Sequence, residues 1–220
     1  MNTFVYFLLT FGYLTLLILG LFLSKKNILN LTNMFLLVIV GLVYDNLIIA
    51  LGRFFGEGKL LEGLSFVRFL LHALFTPLLI LFAWSIAFKL DLAWAKKKFW
   101  KIVFSILTIG LILYELFTSV IGLKLRAKRE NGVLTYESIE SVSPVMVILV
   151  TLVLVIMGII LIKNFHFPGL LIGTIIMTLG SVLAIWISNF PIMNVLEFLL
   201  VLSLLLTKRF QIRNSKKPNT

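Results

Sequence analysis

Four ionisable side chains interrupt long apolar runs: Asp45 in YDNLIIALG, His72 in RFLLHALFTP, Glu115 in ILYELF and Glu197 in NVLEFLL. A neutral imidazole accepts and donates a proton near neutral pH, a carboxylate acts as a base, and a guanidinium holds an anionic group through paired N–H bonds. Arg68, His72 and Thr76 recur every four residues, so they share one helix face, with the arginine one turn from the imidazole. These types and spacings predict Asp45, His72 and Glu115 as catalytic residues. Arg68, Asn46, Tyr114 and Glu197 are the expected substrate-binding set. The chemistry would be proton transfer beside a bound anionic group.

Those residues need helices to carry them through a bilayer. The chain has 220 residues, of which 60% are hydrophobic and only 13% charged, well below the roughly 25% charge of a soluble domain. Seven apolar runs of membrane-crossing length are readable, at about 4–23, 33–52, 66–88, 102–122, 144–162, 169–188 and 191–207. With no water at depth, only helices or a closed barrel satisfy their own backbone, and runs this long exclude barrel strands of about 10 residues. The expected fold is an all-α, seven-helix polytopic bundle over 1–207, with a basic cytoplasmic tail at 208–220. At a rise of about 1.5 Å per residue, Asp45, His72, Glu115 and Glu197 all fall about 9–10 Å below one boundary. Asn46, Tyr114, Asn189 and Asn194 lie near that level. Tyr6, Thr10 and Tyr13 line the same half of the first helix.

An ionised side chain facing lipid near the bilayer centre costs about 2.5–3.5 kcal/mol even on lenient scales, so Asp45 is expected to face inward onto a basic partner, Arg68 or His72. Pro77 removes a backbone hydrogen bond beside Thr76 and predicts a kink in the third span. A network that merely holds helices in register would place the same residues inside.

The net charge of +11 is distributed in a way that argues against nucleic acid. Thirteen of the 20 basic residues, among them Lys25, Lys26, Lys89, Lys163, Lys208, Lys216 and Lys217, fall in alternate segments. The positive-inside bias then places the N-terminus outside, the C-terminus inside and the chain in the cell membrane as a multi-pass protein. Lys124, Arg126, Lys128 and Arg129 in the fourth loop oppose that trend. The loop KLDLAWAKKKFWK interleaves Trp94, Phe99 and Trp100 with lysines, which suits anchoring to anionic lipid head groups at the cytoplasmic face. His166, just before Pro168, is expected at an interface. In LKLRAKRENGVLTYESIE, residues alternate around Asn131-Gly132, the pair preferred by a two-residue type I′ turn, so an external β-hairpin is expected, as a solvated connector or as a lid.

Several chemistries are tested by the inventory. The last helix has no lysine before Lys208 for a retinal Schiff base. Asp45, Glu115, Glu197 and His72 have the ligand types of a carboxylate-rich metal site, but no two lie within one helical turn, and no metal site is assigned. Glycine-rich phosphate loops, Gly-x-Ser-x-Gly elbows and His-Glu-x-x-His motifs are absent, so no cofactor is named.

GLVYDNLIIALG followed by RFLLHALFTPLL resembles the arrangement in the lysoplasmalogenase family, polytopic lipid hydrolases with an aspartate on one helix and a Phe-Leu-x-x-His-like run on the next. The likeness covers about the second and third spans and implies a lipid substrate. Where that family carries a second aspartate in a Ser-Asp pair on a late helix, this chain reads Gly180-Ser181-Val182. The function expected from residues and resemblance together is a lipid-directed intramembrane enzyme. A proton- or ion-coupled carrier is the alternative, and a receptor or assembly subunit the third reading.

Overall fold

A computed structural model describes residues 2–24, 30–140, 143–184 and 190–215. Its helices are α1 (Asn2–Ser24), α2 (Phe35–Phe55), α3 (Lys59–Phe75), α4 (Leu78–Lys89), α5 (Lys98–Glu115), α6 (Val145–Phe165), α7 (Gly169–Ala184) and α8 (Ile192–Asn214). Strands β1 (Leu125–Glu130) and β2 (Val133–Ser138) form one antiparallel hairpin between α5 and α6. Five helical segments are long and apolar enough to cross a bilayer: α1, α2 with its preceding turn, α3 joined to α4, α5 with its final turn, and α6. The described part of α7 is shorter but apolar. In α8, Glu197, Lys208 and Arg209 fall within one otherwise apolar stretch. Lys25, Lys26, Asn189, Lys216 and Lys217 lie outside the described residues.

Large apolar side chains face outward at helical spacing, as at Ile102, Ile106, Ile109 and Leu113 on α5 and Ile148, Leu152, Ile156 and Ile159 on α6. A soluble helix would turn that stripe inward, so an outer surface of this kind fits a lipid solvent. Inside, small residues let backbones approach: a Cβ on Gly158 of α6 would meet the Leu171 backbone of α7 at 2.9 Å, and one on Gly20 of α1 would meet Leu36 of α2 at 2.5 Å.

The third span breaks where expected. Thr76 still donates to His72 O at 3.1 Å, but Pro77 has no N–H, and the chain continues through a tighter turn in which Leu79 donates to Thr76 O and Ile80 to Pro77 O. The half beyond the break, α4, packs against α5 and α6; the half before it, α3, packs against α2, β2 and the end of α5. Residues of both α3 and α6 line one cavity inside the bundle.

Three expectations need adjustment. The third span starts at Lys59, not near residue 66, because the polar turn of α3 extends beyond the apolar run. The fourth span ends in a wide π-type turn over Leu116–Val120. The helix also does not give way to a tail at 208: α8 continues to Asn214, with Lys208 and Gln211 buried. Lys208 donates to Thr32 Oγ1 and, at 3.3 Å, to Gln211 Oε1, so the basic residue is anchored by neutral oxygens instead of being released into water.

The hairpin forms with the anticipated turn. Asn131 and Gly132 both have positive φ, 51° and 82°, the geometry of a I′ turn. It is no solvated connector. Val133, Leu134 and Tyr136 are buried, and Tyr136 Oη accepts from Gly58 N at 3.1 Å. Its docking depends on Gly52 of α2, because a Cβ there would run into the Leu134 carbonyl oxygen. Thr3 Oγ1 donates to Gly132 O at 2.9 Å and ties the turn to the start of α1.

Candidate functional site

Asp45 and Arg68 meet across the α2–α3 interface. Arg68 Nε donates to Asp45 Oδ1 at 2.8 Å, and its Nη1 donates to Thr135 Oγ1 of β2 at 2.7 Å. Asp45 is therefore paired with the arginine, as its depth demanded. Tyr44, one position before it, donates from its hydroxyl to Leu64 O at 3.0 Å and fixes the two helices side by side.

Below the pair lies a cavity of about 340 Å³, between α2, α3, α6, α7 and α8. Most of its wall is aliphatic, including Leu71, Val150, Leu154 and Met177, and its polar groups are Asp45, Arg68, His72, Thr76, Thr151, Asn194 and Glu197. A mostly apolar pocket with a few convergent polar groups is the usual form of a small-molecule site. His72 is exposed and lines this cavity.

Several of these groups lack partners. His72 Nδ1 lies 3.3 Å from Thr76 Oγ1, leaving Nε2 without a hydrogen bond among the described residues. The Glu197 carboxyl has no hydrogen bond or ion pair there, and neither has Arg68 Nη2. All three residues line the same cavity.

A second cavity of about 330 Å³ lies on the other side of the ion pair, beneath the hairpin. Tyr6, Lys128, Glu130, Thr135 and Glu137 contribute to this vestibule, and Asp45, Arg68 and Asn194 belong to both walls. Lys128 bridges Glu130 at 3.0 Å and Glu137 at 3.2 Å, while Arg126 holds Glu137 at 2.9 Å from the directly opposite position. Partial desolvation pushes the Glu137 carboxyl up, but the hydrogen bonds from Arg126 and Lys128 outweigh it and hold the group below its ordinary 4.5. The same bonds, to Glu130 first and then Glu137, raise the Lys128 ammonium above 10.5.

The remaining candidates lie elsewhere. Glu115 is buried with Oε2 unpartnered, at the point where α5 widens into its final turn, and it is not part of either cavity wall. Asn46 is fully buried; its Nδ2 donates to Leu42 O at 2.8 Å, and its Oδ1 accepts from Asn194 at 3.4 Å, joining α2 to α8. Tyr114 donates to Ser143 Oγ at 3.0 Å, at the approach to α6. On α1, Tyr6 reaches the vestibule, Thr10 returns its hydroxyl to Tyr6 O, and Tyr13 is buried with its hydroxyl on Asn194 O at 3.2 Å. His166 is the left-handed residue that ends α6. Among the described residues, no three His, Asp or Glu side chains come together as a metal-ligand group.

Sequence reasoning missed Thr135. Alternation in the hairpin placed it on a face without saying what that face covers, and only docking onto Gly52 brings it to Arg68. No protein-family model, curated protein or solved structure matches the chain.

Proposed function

We propose that the protein is a multi-pass cell-membrane enzyme acting on a lipid. In this reading the bundle crosses the membrane seven times, with α3 and α4 as one broken span, the N-terminus and hairpin outside and the C-terminus inside. The observation that carries the reading is the aliphatic cavity into which His72, Glu197 and the open side of Arg68 all turn without partners. A lipid chain fits its apolar wall, lined by Leu71, Val150, Leu154 and Met177.

The roles follow from what each group is free to do. Arg68, oriented by Asp45, holds an anionic group of the substrate through the N–H groups it has left. His72 takes the proton of a water attacking the neighbouring ester carbon and returns it to the departing alcohol oxygen, while Glu197, on the α8 side of the same cavity, is placed to accept a hydrogen bond from the polar part of the substrate. Asp45 is engaged by Arg68 and serves the reaction by positioning it. Basic and aromatic residues of the α4–α5 connection, where Lys96, Trp94 and Trp100 cluster, anchor anionic lipid at the inner face.

The test is hydrolysis of lysolipids by purified, reconstituted protein. Wild type should release product, and His72→Gln, matched for thermal stability, should lose at least about 100-fold of the rate. A variant as active as wild type removes His72 from the chemistry. A proton-coupled carrier is the second reading, favoured by the meeting of two cavities at one ion pair; pH-dependent solute flux in liposomes without any hydrolysis selects it.

A further inference from the structure

The Asp45–Arg68 pair is shared by two chambers of opposite character, one aliphatic and one polar. Arg68 has five N–H donors and spends one on Asp45 and one on Thr135, so Nη2 and the second Nη1 proton are open where the chambers meet. A guanidinium fork open on one edge matches the two oxygens of a phosphate. Thr135 comes from β2, so the hairpin itself completes the arginine's surroundings and roofs the polar chamber.

We propose that the vestibule and the cavity form one binding site for a single-chain phosphate amphiphile, its phosphate on Arg68, the rest of its head group under the hairpin and its chain in the aliphatic cavity. The proposal rests on the lipid reading above and deepens it. The vestibule is then the water side of the site, through which the polar part of the ligand communicates with solvent while the chain stays in the membrane. Tyr6 marks the polar chamber alone and Thr151 the aliphatic chamber alone, so each chamber can be probed by itself.

The chain contains no cysteine, which makes single-cysteine labelling clean. Tyr6→Cys and Thr151→Cys proteins in phosphatidylcholine nanodiscs would be labelled with a charged methanethiosulfonate, with dodecyl phosphate, inorganic phosphate or dodecyl trimethylammonium as competitor. Dodecyl phosphate at about ten times its dissociation constant should slow labelling at both positions about tenfold. Inorganic phosphate should protect only Tyr6→Cys, and the cationic amphiphile neither. Protection should vanish in the Asp45→Asn/Arg68→Gln background, which removes the pair together, and Arg68→Lys, which keeps charge but loses the fork, should weaken it. Dodecyl phosphate protecting one position only, or protecting both in the double variant, overturns the proposal. Labelling is read without turnover, so protection at both positions without hydrolysis sinks the enzyme reading alone, and hydrolysis with protection at Thr151→Cys alone sinks the shared site alone.

Discussion

The two halves of the third span are built from one apolar run and come out opposite. In α4, eight of 12 residues are buried; in α3, only three of 17 are. Ile80, Phe82, Ile86 and Ala87 are sealed among α2, α5, α6 and the turn before α2, and Phe82 stacks obliquely on Phe35 with centroids 5.3 Å apart. Before Pro77 the same span borders cavities through Arg68 and His72. The break at Pro77 thus separates a densely buried half from a loosely packed half that borders the cavities. Close packing and an accessible polar site are competing demands on the same surface.

Core truncation should show the sharpest contrast. Phe82→Ala should cost about 3–5 kcal/mol of unfolding free energy, and Leu71→Ala on the cavity wall about 2 kcal/mol or less, since a cavity already borders it. Equal losses in detergent unfolding titrations would erase the distinction between the halves.

The ion pair comes next. Asp45→Asn and Arg68→Gln should each cost about 3 kcal/mol, at the low end for a buried pair because both side chains border cavities, and the double variant should recover part of the loss. Additive losses in a double-mutant cycle would mean that the two do not interact.

Gly52→Ala should lift the hairpin from α2 at a cost of about 2 kcal/mol. Faster proteolysis at the 131–132 turn, with α4 unaffected, is the expected signature. Unchanged cleavage would show that the hairpin does not depend on this contact.

The smallest effect is one of pH. Glu137 has a folded value below 4.5 and contributes stability that is present above 4.5 and lost as pH falls through the lower folded value. Lys128 has the opposite sign: its contribution is present below 10.5 and lost as pH rises through the raised folded value. Hairpin docking, followed by tryptophan or hydrogen-exchange signals, should therefore weaken below about pH 4.5 in wild type and less so in Glu137→Gln. Identical acid profiles would remove the hairpin charges from the account.

Membrane helices were legible because bilayer thickness sets their length, and the I′ hairpin because Asn131-Gly132 specifies a local turn. The Asp45–Arg68 pair was legible because a charge at depth demands a partner. What depth could not give was azimuth: Glu115 and Glu197 stand at similar depth, yet Glu197 turns into the cavity and Glu115 into the packing beside α3. Thr135 was illegible for another reason. It reaches the site only through a long-range contact between a hairpin and a glycine more than 80 positions earlier, and no local pattern encodes that distance.

Lys208 gives α8 a fixed register. It lies 11 positions after Glu197, which at about 3.6 residues per turn is close to three whole turns, so both residues stand on the same side of one rod about 16 Å apart. Sliding α8 by a single residue would strip the ammonium from Thr32 and swing Glu197 through about 100°, out of the cavity. A lysine at the far end of the bundle, touching no ligand, thereby acts as the index pin that decides which way a distant carboxylate points.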